Sequence, residues 1–274
     1  MQKELKTKGK LLDEKGHLIE CGYAKSLIKN YDRKDIKAGK LRIKEWDYYL
    51  IYNDDYGVAL TIDDNSYMGL YSISFLDFKN ATETTKSPMT FMPKGKTNMP
   101  STSEIGDVAV ENKNYKFSFL NDGKTRKLFA YLKNFKDGKD ITIEFSLTDE
   151  PKDSMVIITP FKNKPKHFYY NQKIVGLKAT GKVVLGEKEI IFDKNTRAIL
   201  DWGRGVWTYK NTWCWLLEII KTSEFACLSS IGSKSNSNRL SFDVNFHDDK
   251  KSSFPFFFFG ISKVTLSSLC ATPS

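Results

Sequence analysis

Short runs of alternating apolar and polar residues, separated by turn sequences about every 8–12 residues, dominate most of this 274-residue chain. A clear run is Ile-Thr-Ile-Glu-Phe-Ser-Leu at 141–147. It follows Lys-Asp-Gly-Lys at 136–139, and Asn-Asp-Gly-Lys at 121–124 is a second sequence typical of a tight hairpin. Side chains with a period of two point alternately to the two faces of a strand. The pattern predicts an all-β, antiparallel barrel or sandwich, and only residues 23–34 suggest a helix.

The charge of the chain is basic but poor in arginine. A formal net charge of +10 favours an anionic partner. However, only 6 of the 43 basic residues are Arg, and the lysines are scattered rather than arranged in a stripe. Arginine is the residue that reads base edges and binds phosphate through two parallel hydrogen bonds. The composition therefore predicts a lysine-coated surface and no specific nucleic-acid partner.

The cysteines and the N-terminus carry no metal-binding or targeting pattern. The four cysteines form no Cys-x-x-Cys pair, and the first residues are charged, without an apolar leader. The longest apolar run, at 254–259, is far shorter than the roughly 20 residues that span a bilayer. We expect a cytoplasmic protein with reduced cysteines, no membrane span, no metal and no cofactor. The oligomeric state stays open.

Residues 200–215 contain four of the five tryptophans of the chain together with one carboxylate, one guanidinium and two glycines. One interpretation is a glycine turn that leads into a tryptophan-rich core strand with a structural ion pair. The other is a functional site, since burial together with a charge partner perturbs the pKa of an ionisable group. The candidate residues of this stretch are Asp201, Trp202, Arg204, Trp207, Trp213 and Trp215.

The stretch at 167–173 is a second candidate. On a strand, Tyr169, Asn171 and Lys173 share one face, and Tyr170 and Gln172 share the other. Whichever set faces inward places hydrogen-bonding groups inside an aromatic wall, which suits a mostly apolar ligand with one polar group. The alternative is a barrel strand with ordinary outward polar residues.

The loop at 98–104, Asn-Met-Pro-Ser-Thr-Ser-Glu, is a third candidate. Its hydroxyl groups and Glu104 could cover the mouth of a barrel, and a plain capping loop is the alternative.

Other motifs in the sequence are incomplete. Gly95-Lys96-Thr97 has no glycine at the start of a phosphate-binding loop, and no histidine or carboxylate spacing indicates a metal site.

Four segments, at 63–70, 98–104, 169–174 and 200–213, resemble a family of uncharacterised bacterial proteins, the domain of unknown function 2804 group. The resemblance covers roughly residues 1–215. Its members have no established activity, so the resemblance implies a family without implying a reaction.

A more distant similarity is to the lipocalin-like hydroxyneurosporene synthases, which are carotenoid hydratases. The shared signature is an acidic residue beside Trp and Gly, here Asp201, followed by a Trp-x-Trp pair, here Trp213 and Trp215. The similarity implies two consecutive calycin-type barrels with an apolar cavity. It would make Asp201 the catalytic acid and the aromatic residues the cavity wall, by analogy at the level of the fold.

The resemblance and the composition together predict three parts. Residues 1–165 form an N-terminal barrel-like domain, and 166–215 begin a second β-domain that carries the tryptophan-rich motif. Residues 216–274 contain 13 Ser and no Tyr and form an atypical tail, whose origin could be a truncation, a frame shift, disorder or a genuine variable terminus. We expect the second barrel to be incomplete or atypical.

Two functions are open. The first is binding of an apolar or amphipathic small molecule in a barrel-type cavity. The second is an acid-catalysed hydratase or isomerase acting on a lipid-like substrate, in which a buried, protonated Asp201 donates a proton to an alkene and Tyr170 or Gln172 positions water. A pair between Asp201 and Arg204 would weaken the second hypothesis, because an adjacent cation favours the ionised form of a carboxyl. The expected binding residues are Asn171, Gln172, Trp202, Arg204, Trp207, Trp213 and Trp215.

Overall fold

The computed structural model describes residues 3–208 and the backbone of residues 217–219 and 227–229. The chain divides into two units, Met1–Thr208 and Tyr209–Ser274. Within residues 3–208 the helical segments are two 3₁₀ turns, Arg33–Asp35 and Lys40–Arg42. No helix in this described part of the chain is long and apolar enough to cross a membrane.

Strands make up the rest of the regular structure. In chain order they are β1 Gly9–Lys10, β2 Gly22–Ala24, β3 Lys29–Asn30, β4 Ile43–Tyr52, β5 Tyr56–Asp64, β6 Met68–Asp77, β7 Thr82–Lys86, β8 Met89–Phe91, β9 Val108–Asn112, β10 Tyr115–Asn121, β11 Arg126–Lys136, β12 Lys139–Thr148, β13 Met155–Phe161, β14 Lys164–Leu185, β15 Lys188–Phe192, β16 Arg197–Val206, β17 Leu217–Ile219 and β18 Cys227–Ser229.

Fourteen of these strands form one antiparallel sheet. Its main path runs β7-β6-β5-β4-β16-β14-β12-β11-β10-β9, with β8, β13, β15 and β2 attached beside it. Separately, β1 and β3 form a short parallel pair, and β17 and β18 form an antiparallel pair. The predicted all-β, antiparallel fold is confirmed. Among the described strands the sheet does not close into a barrel, because β7 and β9, the two ends of the path, do not pair with each other.

The long strand β14 joins two layers of this sheet. Its first half pairs with β13 and β16, and its second half pairs with β12 and β15. The register shifts between Val175 and Leu177, at Gly176, whose φ of 96° lies in the left-handed region that favours glycine. A bulge at such a point lets one strand pass from one packed layer to the other. The result is an open sandwich.

The core lies between the two layers. The ring of Tyr71 on β6 lies 5.4 Å from that of Tyr115 and 6.2 Å from that of Phe117 on β10. Likewise, Tyr49 on β4 lies 5.1 Å from Phe119. These rings belong to strands far apart in the sheet order, so the sheet folds over and packs its inner faces together.

The hairpin turns follow their sequences. Asp137 and Gly138, between β11 and β12, have φ values of 49° and 77°. Two consecutive positive φ angles define the hairpin turn whose twist matches that of the flanking strands. The Asn-Asp-Gly-Lys sequence at 121–124 likewise joins β10 to β11, as predicted.

The helix suggested for residues 23–34 is wrong. This segment contains part of β2, which pairs with β13, then β3, which pairs with β1, and it ends at the first 3₁₀ turn. Tyr23 lies opposite Ile157 of β13. Backbone pairing with a distant strand satisfies the peptide groups that a helix would have satisfied locally, so tertiary contacts override the weak helical pattern.

The expected boundary at 165/166 falls at the start of β14. Both β14 and β16 hydrogen-bond into the same sheet as β4 and β12. Residues 166–208 therefore continue the sheet that the preceding strands build. The prediction for the tail at 216–274 lies outside the described residues, apart from the backbone of β17 and β18.

A buried carboxyl group organises the turn between β5 and β6. Asp63 is 3% exposed, and its oxygens accept hydrogen bonds from the backbone N–H of Leu70 at 2.7 Å and from Asn65 Nδ2 at 2.8 Å. Burial raises the pKa of Asp63 to about 7, although these hydrogen bonds and the nearby Lys44 favour the charged form. This carboxyl therefore titrates near neutral pH in the folded protein.

Replacing Asp63 by Asn is expected to change how stability depends on pH. The pKa of Asp63 in the folded protein lies above the ordinary aspartate value of 3.8, so the carboxyl of the unfolded chain loses its proton first as pH rises. The protonated Asp63 carboxyl therefore makes its full contribution to the free energy of unfolding below about pH 4, and this contribution is lost as pH rises through 7. The difference in unfolding free energy between wild type and Asp63→Asn should change by about 2–4 kcal/mol between pH 4 and 8 in urea titrations. Asp55→Asn, at an exposed turn position, is the control, and parallel profiles for Asp63→Asn and wild type would contradict the expectation.

Candidate functional site

Asp201 and Arg204 point to opposite faces of β16. They are three residues apart on a strand, and side chains alternate between faces. Trp202 lies opposite Asp47 of β4, on the face that packs into the core, which we call the inner face. Asp201 lies opposite Lys173 of β14, on what we call the outer face. The ion pair between Asp201 and Arg204 considered from the sequence is not formed.

Arg204 is fully buried on the inner face and forms an extensive set of hydrogen bonds. Its Nη1 donates to Asp47 Oδ1 at 3.0 Å and to the carbonyl oxygens of Trp46 and Gly203 at 2.8 and 2.9 Å. Its Nε and Nη2 donate to the carbonyl oxygen of Pro100 at 3.2 and 2.8 Å. One guanidinium thus holds together β4, β16 and the loop at 98–104.

Asp47 is the carboxylate that Arg204 neutralises. It is 7% exposed, and burial raises its pKa, while the charges of Arg204 and Arg126 act in the opposite direction. Asp201, on the other face, adds a repulsive charge. Asp47 is therefore a desolvated acid with a charge partner, which is the combination expected at a functional site.

Two further arginine–carboxylate pairs lie beside Arg204 and Asp47. Glu45, 2% exposed, accepts hydrogen bonds from Tyr31 Oη at 2.7 Å and from Arg33. On the other side, Arg126, 4% exposed, donates to Glu150 at 2.5 Å. Each of the buried charges of Glu45, Arg126 and Arg204 thus has a partner of opposite charge.

A cavity of about 290 Å³, here called the entrance cavity, opens at one end of the sandwich. Leu147, Pro151 and Leu177 supply apolar surface. The polar lining residues are Glu104, Asn121, Lys124, Arg126, Thr148 and Glu150. The cavity is smaller than most ligand sites and more polar than the aromatic-walled cavity expected from the sequence.

A second cavity of about 10 Å³, here called the inner cavity, lies deeper. Asn121 and Arg126 line both cavities, so the two spaces adjoin. Asp47 and Trp202 line the inner cavity, together with Ser103 from the loop at 98–104. The deeper space is therefore bounded by charged and hydrogen-bonding groups.

Trp202 is held firmly beside this space. Its ring packs edge-on against those of Tyr31 and Tyr170, with centroids at 6.5 and 5.3 Å, and Cζ of Arg204 lies 4.4 Å from its centroid. Its Nε1 is buried and has no hydrogen-bond partner among the described residues. A buried indole N–H without a partner is unusual and calls for an explanation.

Asp201 lies in a different environment, on the outer face. Its Oδ2 accepts a hydrogen bond from Lys173 Nζ at 2.5 Å. Its Oδ1 accepts from Asn171 Nδ2 at 2.5 Å and from Trp46 Nε1 at 3.3 Å. Three donors thus converge on the two oxygens, and Tyr48, the cross-strand neighbour, has a buried hydroxyl without a partner among the described residues.

Aromatic rings surround this outer cluster, which we define as Trp46, Tyr48, Asn171, Lys173 and Asp201. The ring of Trp46 stacks on that of Tyr169 at 6.1 Å and meets that of Trp207 edge-on at 5.7 Å. Burial raises the pKa of Tyr169 well above its usual value. The outer cluster is therefore a second buried polar group, separate from the inner cavity.

The structure separates several residues that the sequence grouped as one site. The predicted division of faces along 169–173 is confirmed: Asn171 lies with Asp201, whereas Tyr170 and Gln172 lie on the inner face. Tyr170 Oη donates to the carbonyl oxygen of Lys29 at 2.8 Å. Tyr170 and Asp201 therefore do not converge on one substrate atom.

The remaining predicted residues divide in the same way. Gln172 contacts Ser103, whose Oγ donates to its Oε1, and it donates to Ser154 Oγ at 2.9 Å. Trp207 packs beside the outer cluster, and Trp213 and Trp215 lie outside the described residues. From the loop at 98–104, Ser103 lines the inner cavity and Glu104 the entrance cavity.

Sequence reasoning missed Asp47, Arg126 and Asn121. The sequence did indicate a buried position, because Asp47 lies an even number of residues from Ile43, Tyr49 and Ile51 and therefore shares their buried face of the strand. A polar residue at a core-facing position predicts a buried, paired group. Within the described residues, no group of three or more His, Cys, Asp or Glu side chains could hold a metal ion.

An antiparallel β-protein with a small, charged cavity at one end is the class that the fold and the site define. The family described as "Domain of unknown function (DUF2804)" matches residues 2–234. The chain belongs to this family, and the resemblance stated from the sequence is confirmed.

Comparisons with other proteins give weaker likenesses. A protein assigned as AttH from Nitrosomonas europaea is 12% identical, with a TM-score of 0.46 over 78% of this chain and 72% of that chain. Kievitone hydratase from Nectria haematococca is 13% identical, with a TM-score of 0.37 over 72% of this chain and 63% of that chain. No curated protein matches the chain.

Replacing Gly203 by Ala is expected to destabilise the protein through the outer cluster. A Cβ at this position would lie 2.0 Å from the Trp46 ring, which would have to move away from Tyr169 and Asp201. Overpacking of this kind costs about 1–3 kcal/mol in unfolding free energy, to be measured by urea denaturation. Gly39→Ala, where nothing lies within 4 Å, is the control and should change stability by less than about 0.5 kcal/mol. Equal effects of the two substitutions would contradict the packing argument.

Replacing Arg204 by Met is expected to cost about 3–5 kcal/mol, because it leaves the Asp47 carboxylate buried without its partner. Adding Asp47→Asn in the same chain should restore part of the loss, since the unpaired charge is then removed. Urea denaturation of the two single variants and the double variant gives the coupling energy. Simple additivity of the two single effects would show that the pair does not act as a unit.

Proposed function

We propose that this protein binds a small amphipathic molecule in the entrance cavity. The observation that carries the proposal is an open cavity of about 290 Å³ that leads to buried, hydrogen-bonding groups. Ligand sites combine apolar surface with a few convergent polar groups. Here the apolar surface comes from Leu147, Pro151 and Leu177, and the polar end lies at Asn121 and Arg126.

The position of the tryptophans favours an amphipathic ligand over a wholly apolar one. Trp202 lines the inner cavity and Trp207 belongs to the outer face, so neither supplies a wall of the entrance cavity. Charged side chains such as Lys124 and Arg126 occupy that wall instead. A ligand with polar atoms can form hydrogen bonds with this wall, which a wholly apolar ligand cannot do.

The alternative, an acid-catalysed hydratase or isomerase that uses Asp201, stays a prediction. Both Asp201 oxygens accept hydrogen bonds, one of them from the Lys173 ammonium group, and Asp201 lines neither cavity. An acid that protonates an alkene needs a free O–H directed at the substrate. Asp47 lines the inner cavity, and burial raises its pKa. Because a protonated carboxyl beside a cavity is the kind of acid that this reaction needs, Asp47 is the better candidate.

NMR titration of the full chain tests the binding proposal with two amphipathic probes, octanol and octanoate. We expect saturable shifts of backbone N–H signals along the cavity wall, including those of Thr148 and Leu177, for at least one probe. Thr148→Trp places a bulky ring at the exposed edge of the cavity and should weaken binding at least tenfold. Ser146→Trp, on the same strand face but outside the lining, should leave binding unchanged.

Two results would contradict the proposal. One is the absence of saturable shifts at the cavity wall with either probe. The other is unchanged binding in Thr148→Trp, which would place the probe elsewhere on the protein.

A further inference from the structure

The inner cavity has the size of one hydrogen-bonding group. A volume of about 10 Å³ is close to the smallest space that accommodates a single water molecule. Asn121 and Arg126 line this space and the entrance cavity alike, so the two spaces share part of their walls.

Two residues with opposite hydrogen-bonding character, Trp202 and Asp47, line this space. Trp202 Nε1 can only donate, and it is buried without a partner among the described residues. Asp47 is its direct cross-strand neighbour, and the Arg204 contact at Oδ1 leaves lone pairs on the carboxylate. Both residues line the inner cavity, so a small group placed there lies beside both side chains.

We propose that the inner cavity is a hydroxyl subsite, in which the oxygen of a ligand alcohol accepts a hydrogen bond from Trp202 Nε1 and donates one to Asp47. The proposal rests on the binding function proposed above and specifies its ligand class, an amphipathic alcohol. The apolar chain of the alcohol lies in the entrance cavity, beside Leu147 and Leu177.

Other polar groups fit this pair less well. A carboxylate can only accept hydrogen bonds, so it would satisfy the Trp202 N–H but present lone pairs to Asp47. An ammonium group would leave the Trp202 N–H without an acceptor and would lie near the cations of Arg126 and Arg204. An ether or a carbonyl accepts from Trp202 but presents lone pairs to the carboxylate. A hydroxyl group alone among these both accepts and donates.

The fixed surroundings make the subsite selective. Arg204 holds Asp47 in place, and the Trp202 ring is packed by Tyr31 and Tyr170, so neither polar group can turn to find another partner. A site built to bind a hydroxyl group discriminates strongly against analogues that lack it, because its buried groups then stay unpaired.

The experiment compares three probes of similar size on the full wild-type chain: octanol, heptyl methyl ether and octanoate. We expect octanol to bind at least tenfold more tightly than either of the others, from titration of the backbone N–H signals of the cavity wall. The Trp202 indole N–H signal should move downfield with octanol. It is identified by its loss in Trp202→Phe or, if that variant does not fold, by its NOEs to the rings of Tyr31 and Tyr170.

The outcomes separate the two proposals. Saturable shifts at the cavity wall that are equal for all three probes, or that leave the Trp202 indole signal unmoved, overturn the hydroxyl subsite and leave ligand binding standing. Absence of saturable shifts with any probe overturns ligand binding in this cavity and the subsite with it. Octanoate binding more tightly than octanol also overturns the subsite, because a carboxylate cannot donate a hydrogen bond to Asp47.

Discussion

The rest of the structure depends on the burial of Arg204 with its charge satisfied. A guanidinium that is removed from water is tolerated only when it is paired and hydrogen-bonded. Arg204 therefore requires Asp47 on the adjacent strand and the Pro100 carbonyl oxygen at fixed positions. This requirement sets the register of β4 against β16 and places the loop at 98–104 over the end of the core. Residues of this loop line part of both cavities that we propose as a binding site.

The same strand carries a second buried ion pair on its other face. Asp201 contacts Lys173, while Arg204 contacts Asp47, so β16 is buried on both sides. A strand that is buried on both faces normally contains mainly apolar residues. Here each face also contains a charge that is neutralised by a neighbouring strand. A buried ion pair is weak evidence for net stability, and its better-attested role is to specify one register over others.

Much of the fold follows from local pattern, whereas the composition of the site does not. Alternation of apolar residues and the Asp137-Gly138 turn predict strands and hairpins that the structure contains. Strand parity also predicts the opposite faces of Tyr169 and Tyr170. Applied to Asp201 and Arg204, the same parity would have excluded their pairing, so that information was present in the sequence. The segment at 23–34 was predicted wrongly because its structure is determined by distant strands.

The sequence by itself determined the antiparallel β class, the positions of the turns, the faces shared along each strand and membership of the family. Only the tertiary structure decided that Arg204 pairs with Asp47, 157 residues earlier in the chain, and that Asp201 pairs with Lys173. The physical reason is that alternation along a strand determines which side chains share a face. It does not determine which strand or loop packs against that face. Which charges meet depends on the order of strands in the sheet and on the bend at Gly176, where β14 passes between layers. Local sequence does not encode that order, because it is set by the burial of whole faces against one another.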